Sequence, residues 1–265
     1  MNETVLLARD GPVATLTLNR PDALNTLDFA MIDALVAHTA QCAADASLRV
    51  VVLRGAGRHF MAGGDIRTFA ANLGQPQAAR REAFQRMVER LHAAVESLHR
   101  MPHAVVGRVH GAVAGFGLSL MNACDIVVAS DDAVFASAYR QIALSPDGGG
   151  SWSLPRLVGL RKAMEIFLLG ERFGAADALA LGIVNRVVPA SELDAATDAI
   201  VRALATGPAI AMRNTRRLVR ESMGRTLSEQ LRAEAMSFGE CAGTADFDEG
   251  ITAFLAKRLP RFAKD

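Results

Sequence analysis

His110-Gly111-Ala112-Val113-Ala114-Gly115-Phe116-Gly117 leaves one short apolar run and enters another, and His59-Phe60-Met61-Ala62-Gly63-Gly64-Asp65-Ile66 does the same earlier in the chain. Each stretch follows a predicted buried strand and precedes a predicted helix, so each reads as a strand-exit loop. Small residues there let backbone N–H groups approach a ligand closely. Two such N–H groups converging on one oxygen make an oxyanion hole. Taken singly, either loop is better explained as a tight turn needed only for packing.

Working outward from these loops, Val50-Val51-Val52-Leu53, Ala104-Val105-Val106 with Val109, and Ile126-Val127-Val128 are short apolar runs typical of buried strands. Val5-Leu6-Leu7 and Val13 to Leu18 flank the turn signal Asp10-Gly11-Pro12 and predict a hairpin. A helix is expected from Asp28, as N-cap, to Ala44, with Ile32, Leu35, Val36 and Thr39 on one face. Another is expected from about Ala78 to Arg100, and an apolar one from Leu118 to Cys124. Strand and helix alternate, which implies an α/β fold with crossover connections. After Gly148 the pattern turns helical: 161–169, 175–181, 192–205, 208–222, 227–240 and 247–256. Only Ile183-Val184 and Val187-Val188 look extended there. Gly207-Pro208 marks a break at which a C-terminal appendage could open.

Composition narrows the function. With 29 Lys+Arg against 28 Asp+Glu, the net charge of +1 argues against a broad basic surface for nucleic acid. Any anionic ligand must be held locally. Cys42, Cys124 and Cys241 are too widely spaced for a disulfide framework or a metal pair, and read as free thiols of a reducing compartment. The start Met1-Asn2-Glu3 has no apolar signal core, and the nearly uncharged stretch Gly111 to Cys124 is shorter than the ~20 residues of a spanning helix. A cytoplasmic location away from membranes is the default expectation. No P-loop is present. Gly115-Phe116-Gly117 lacks the third glycine of a dinucleotide motif, and Ser119 has no nucleophile-elbow context. His59 and His110 read as local hydrogen-bonding residues beside glycine-rich turns.

Together these residues resemble the crotonase, or enoyl-CoA hydratase/isomerase, superfamily over nearly the whole length. Asn19-Arg20-Pro21 with Asn25 is similar to its N-terminal CoA-contacting signature. Phe60 to Ile66 is similar to its first oxyanion loop, Gly111 to Gly117 followed by Cys124-Asp125-Ile126 to the second, and Ala253 to Arg258 to its C-terminal helix. The order and spacing of the motifs carry the resemblance. It implies a stacked β-β-α spiral core over residues 1–200, and a helical region over 201–265 that builds homotrimers, often paired as dimers of trimers. It also implies an acyl-CoA thioester as substrate, with coenzyme A as part of that substrate and no other cofactor or metal. By this resemblance the N–H groups of Ala62 and Phe116 bind the thioester oxygen, with Phe116 standing where the family usually has glycine. Ala23, Leu24, Asp65 and Ile66 line the CoA groove, and Phe254 and Lys257 reach CoA from a neighbouring subunit.

The resemblance also bears on the reaction. Family hydratases use two glutamates to position water and protonate carbon, and the matching positions here are Ser119 and Tyr139, neither a carboxylate. Tyr139 then belongs to the substrate pocket. One carboxylate falls near the expected site, Asp147 in Leu144-Ser145-Pro146-Asp147-Gly148-Gly149-Gly150. Pro-Asp-Gly is also a turn signal, so a turn or N-cap role is the plainer alternative. The run from Pro146 to Arg156 is most similar to the epoxyphenylacetyl-CoA isomerase type, beside 3-enoyl-CoA isomerases in which an aspartate shuttles a proton. The expectation is therefore an enoyl-CoA isomerase with Asp147 as base. Hydration of a 2-enoyl-CoA, aromatic acyl-CoA dehalogenation and a non-catalytic acyl-CoA-binding paralogue stay open.

Overall fold

Strands that are apolar on both sides need cover on both sides, and the central strands of this molecule receive it. The computed structural model describes residues 3–262. Along the chain run β1 (Val5–Asp10), β2 (Val13–Leu18), α1 (Phe29–Ala44), β3 (Val50–Gly55), α2 (Ile66–Ala70), α3 (Gln77–Arg100), β4 (Ala104–Val109), β5 (Ala112–Ala114) and α4 (Phe116–Asn122). Then come β6 (Ile126–Ser130), β7 (Val134–Ala136), α5 (Gly150–Val158), α6 (Leu160–Leu169), β8 (Phe173–Gly174), α7 (Ala175–Ala180), β9 (Arg186–Val188), α8 (Leu193–Ala205), α9 (Ala209–Glu221), α10 (Leu227–Ala242) and α11 (Ala245–Leu255).

The strands form a large sheet in the order β1-β2-β3-β4-β6-β9 and a small one in the order β5-β7-β8. In the large sheet only the β1–β2 hairpin is antiparallel; Val13 pairs with Val50, Val50 with Ala104, Val106 with Ile126 and Ser130 with Val188 in parallel. An isolated bridge sets Met61 beside Val113, extending the small sheet by one more pass of the chain. Successive passes thus contribute a long strand, then a short one or a single bridge, then helix. This is the stacked β-β-α spiral that the resemblance implies.

The period-two alternation of a strand divides the core. Val51, Leu53, Val105 and Val109 enter the main core, while Val50, Val52, Val106 and Val128 meet Leu193, Ile200 and Val201 of α8 in a second one. Asp28 caps α1 by accepting from the Met31 N–H at 2.8 Å, and α1 lies against α3. Leu91, Ala94 and Leu98 give α3 a narrow buried stripe in an otherwise polar helix. Cys42 and Cys124 are buried free thiols, pushed up to about 11 and about 12 mainly by burial.

Several elements depart from expectation. The apolar helix expected from Leu118 begins at Phe116, because Gly115 takes φ +54° and turns the chain directly out of β5. Ile183-Val184, expected to be extended, form a turn whose N–H groups return to the Ala178 carbonyl, and both side chains are buried for packing. The run Gly150–Val158 is helical, with Pro155 inside it. The division expected at 200/201 falls inside α8, and the chain changes direction at Gly207-Pro208 before α9.

A carboxylate fastens α9 to the spiral. Asp125 Oδ2 accepts from Arg216 Nε at 2.6 Å, and Oδ1 accepts from Arg220 Nη2 at 2.6 Å. The same guanidinium groups donate to the carbonyls of Leu98, His99, Met101 and Ala123, at the ends of α3 and α4. Helix C-termini carry unpaired carbonyls and partial negative charge, so two arginines satisfy them while pairing with Asp125. Asp125→Ala leaves both guanidinium groups without their anion and is expected to cost about 3 kcal/mol. Urea unfolding checks the loss, and limited proteolysis is expected to release the segment after α8 first.

Candidate active site

Two backbone segments build the centre of the site by lying against one another. Met61 N–H donates to Ala112 O at 3.1 Å and Ala114 N–H to Met61 O at 2.9 Å, so the first loop is stitched to β5. The approach is close enough that a Cβ on Gly117 would stand 2.3 Å from Met61 O, which admits glycine alone. Asn25 supports the first loop from beneath: its amide donates to the carbonyls of Ala56 and His59 and accepts from the Arg20 N–H. His59 Nδ1 accepts from Ala112 N–H at 3.0 Å and His110 Nε2 lies 2.9 Å from Gly57 O, so both histidines bind backbone.

A cavity of about 620 Å³ opens over this junction. It gathers Ala23, Leu24, Ala62, Asp65, Ile66, Phe116, Tyr139 and Asp147. Phe254 on α11 and Lys257 just beyond it are exposed and line no part of it. Asp65 is held by Arg20 Nη2 at 2.9 Å and caps α2 through the Arg67 N–H. Burial works to raise the Asp65 carboxyl, but these bonds outweigh it and hold the group below the usual carboxylate range. An apolar cavity of about 670 Å³ shares Ile66, Phe69, Ile142 and Leu144 with the first.

The backbone donors are not all those expected. The Ala62 N–H is spent on Leu24 O at 3.1 Å, so it is not free for a ligand oxygen. Two residues on, Gly63 O accepts from Leu27 N–H and Asp65 N–H donates to Leu27 O, which turns the intervening Gly64 N–H away from Leu27. Among the described residues, the N–H groups of Gly63, of Gly64 and of Phe116, the first residue of α4, donate to no protein acceptor, and all three residues line the cavity. Gly64 was missed in the sequence because Ala62, Gly63 and Gly64 are all small. Which N–H is free depends on the partners Leu24 and Leu27, and neither pairing leaves a local signature.

Phe116 is 2% exposed, and its ring is turned inward. A Cβ on Gly148 would lie 2.6 Å from that ring, and Gly148 sits at φ +58°, so the turn after Asp147 is shaped to admit the phenyl group. Asp147 caps no helix: Gly149 is the N-cap of α5, without a side-chain bond. Its Oδ1 accepts from Tyr139 Oη at 2.6 Å, and Tyr139 Oη lies 3.2 Å from Ser119 Oγ. Gly148 N–H donates to His92 Nε2 at 3.2 Å, fixing the turn from the α3 side. Burial raises the Asp147 carboxyl above its ordinary value, and the Tyr139 hydrogen bond and the nearby His92 offset only part of that. Burial and the Asp147 charge likewise push the Tyr139 phenol up, so it stays a neutral donor. The arrangement offers a carboxylate of raised basicity beside free backbone donors. Among the described residues no cluster of side chains suited to a metal ion is present, and no helix is long and apolar enough to cross a membrane.

The chain is similar to known proteins along nearly its whole length. A model of the enoyl-CoA hydratase/isomerase family matches residues 8–265. A 1,2-epoxyphenylacetyl-CoA isomerase from Escherichia coli (strain K12) is 35% identical over 263 residues, covering 99% of each chain. A Rhodobacter capsulatus protein named "Probable enoyl-CoA hydratase" is 35% identical over 250 residues, covering 94% of each. The crystal structure of an enoyl-CoA hydratase from Polaromonas sp. JS666 superposes with a TM-score of 0.90 at 34% identity, covering 98% of this chain and 99% of that one.

The raised carboxyl makes a prediction about stability. Below the ordinary carboxylate range Asp147 is protonated in both folded and unfolded chains. As pH rises through the raised folded value, the folded chain must ionise a buried group, and stability is lost. Asp147→Asn is therefore expected to gain stability relative to wild type as pH climbs through that window. Urea unfolding of both proteins across the acid range measures the difference; a constant difference at all pH values contradicts the burial argument.

Proposed function

The chain belongs to the enoyl-CoA hydratase/isomerase family of the crotonase superfamily, and on that footing we propose that it is an enoyl-CoA isomerase, moving a double bond by proton transfer through Asp147. The observation that carries the reading is the Asp147 carboxylate, which reaches the cavity with raised basicity and a single strong donor, Tyr139. The other acidic residues lining the cavity are Asp22 and Asp65, and Asp65 is committed to Arg20. The positions where family hydratases carry two glutamates hold Ser119 and Tyr139, which argues against the two-carboxylate route of water addition.

The chemistry follows from the site. The thioester oxygen sits between the N–H groups of Gly64 and Phe116, which replace the expected pair of Ala62 and Phe116. Negative charge that develops there is stabilised by donors already in position. Asp147 takes a proton from C2 of a 3-enoyl thioester, and the electron pair moves onto the thioester oxygen as a dienolate. The same carboxyl then returns a proton at C4, and the double bond ends between C2 and C3. Tyr139 keeps the carboxylate oriented without competing as an acid. Ile66, Phe69, Ile142 and Leu144 offer apolar cover for an acyl group, aliphatic or aryl. Coenzyme A enters as part of the substrate, and no step calls on another cofactor.

The C-terminal helices fit the same reading. Phe254 is 82% exposed, Leu255 76% and Phe238 75%. Such surface calls for cover, which a homotrimer or a dimer of trimers supplies, bringing Phe254 and Lys257 to a neighbour's CoA.

Hydration is the second reading, because relatives of comparable identity carry that name. Two assays separate the readings. Wild type is expected to convert a 3-enoyl-CoA to the 2-enoyl product and to leave the ultraviolet absorbance of crotonyl-CoA nearly unchanged. Asp147→Asn is expected to lower the isomerisation kcat by about 10²-fold or more, with KM little altered. Rapid hydration of crotonyl-CoA, or an undiminished kcat in the variant, overturns the proposal.

A further inference from the structure

Asp147 is also connected to a second cavity. The bonds Asp147–Tyr139 at 2.6 Å and Tyr139–Ser119 at 3.2 Å run away from the acyl cavity. Tyr139 and Asp147 line that cavity but Ser119 does not. Ser119 instead lines a separate cavity of about 330 Å³, bounded by the last turns of α3, by Asn122 and by the Gly148-Gly149 turn. The inward ring of Phe116, packed on Gly148, stands beside the three linked side chains. At the rim of the rear cavity Glu96 and Arg100 are 62% and 77% exposed, so it reaches solvent.

The rear cavity also has an unmet polar demand. Asn122 is 8% exposed, and both its Oδ1 and its Nδ2 are buried without a hydrogen-bond partner. A buried amide left unsatisfied is destabilising. Asn122 lines the chamber beside Ser119, and water entering this solvent-reaching chamber satisfies such groups.

We propose that this rear cavity is a water chamber through which the proton on Asp147 exchanges with solvent, by way of Tyr139 and Ser119, independently of the acyl-CoA entrance. The inference rests on the isomerase reading. When Asp147 has taken the C2 proton, its O–H gives that proton to Tyr139 Oη, Tyr139 gives its own to Ser119 Oγ, and Ser119 gives its own to water. Each oxygen loses one O–H bond as it gains another, water becomes hydronium, and the carboxylate is restored. Inward transfer reverses each step, ending in the direction of the Tyr139-to-Asp147 bond. A bound thioester covers the front of the carboxylate, so this path sets how often the abstracted proton is lost before it returns at C4. Tyr139 and Ser119 are positioning residues in this scheme; Asp147 alone touches the reacting carbons.

The test is isomerisation of 3-hexenoyl-CoA in D2O, stopped at low conversion, with deuterium at C4 of the product counted per turnover by mass spectrometry. This ratio does not depend on the amount of active enzyme. Wild type is expected to give deuterated product. Ser119→Ala is expected to lower the deuterium per turnover about tenfold, and Ser119→Thr, which restores a hydroxyl, to recover most of it. Asn122→Leu, which removes the water-binding amide and leaves the hydroxyl chain intact, is expected to lower the ratio as well. An undiminished ratio in Ser119→Ala, or wild-type product free of deuterium, overturns the relay and leaves the isomerase reading standing. Absence of any isomerised product from wild type overturns the isomerase reading, and the relay with it.

Discussion

The molecule depends on one close approach. Met61 and β5 exchange backbone hydrogen bonds, and Gly117 lies so near the Met61 carbonyl that no side chain can come between them. That contact joins two successive turns of the spiral at the point where each leaves the large sheet. It starts α4 at Phe116 and sets the free N–H of that residue beside the loop that holds Gly64. The two donors are therefore fixed by backbone pairing and not by side chains. A site built in this way has little reorganisation left to perform when charge develops in it.

The carboxylate is placed by different means. Asp147 sits on a turn whose backbone is held by His92 and by the Phe116 ring, and whose side chain is held by Tyr139. None of these partners is a cation paired directly with the carboxylate, so burial stays the largest influence on it. Burial is the largest single influence on Asp65 as well, but Arg20 and backbone donors together outweigh it. Asp125 is fastened under α9 by two arginines. Aspartate thus serves as a fastener where guanidinium groups meet it, whereas among the described residues no guanidinium holds Asp147.

Much of this was legible in the residues. The hairpin, α1 with its Asp28 cap, α3 and the central strands follow from periodicity and turn chemistry, because long regular elements repeat their signal. The short elements did not show: β5, β7 and β8 have three residues or fewer, and Pro155 hid α5. Within the site the loops could be found by their glycines, and the cavity gathers Asp147, Tyr139, Phe116 and the groove residues together. The donor on the first loop could not be found that way. The choice between Ala62 and Gly64 is made by the carbonyl of Leu24 and the backbone of Leu27, which are distant in sequence and contribute no side-chain chemistry. The chamber behind Ser119 was equally invisible, since it is bounded by α3, α4 and the Gly148-Gly149 turn together.

The packing of Phe116 on Gly148 bears on how such a site can drift over generations. A residue with a side chain at 148 meets three obstacles at once: the phenyl ring, the Ser119 Cβ at 3.0 Å and a backbone held at φ +58°. A smaller residue at 116 removes the first and leaves the backbone donor intact, but the other two still require glycine. The turn that carries the carboxylate is thus confined several times over, and a lineage can change the ring at 116 without moving its base.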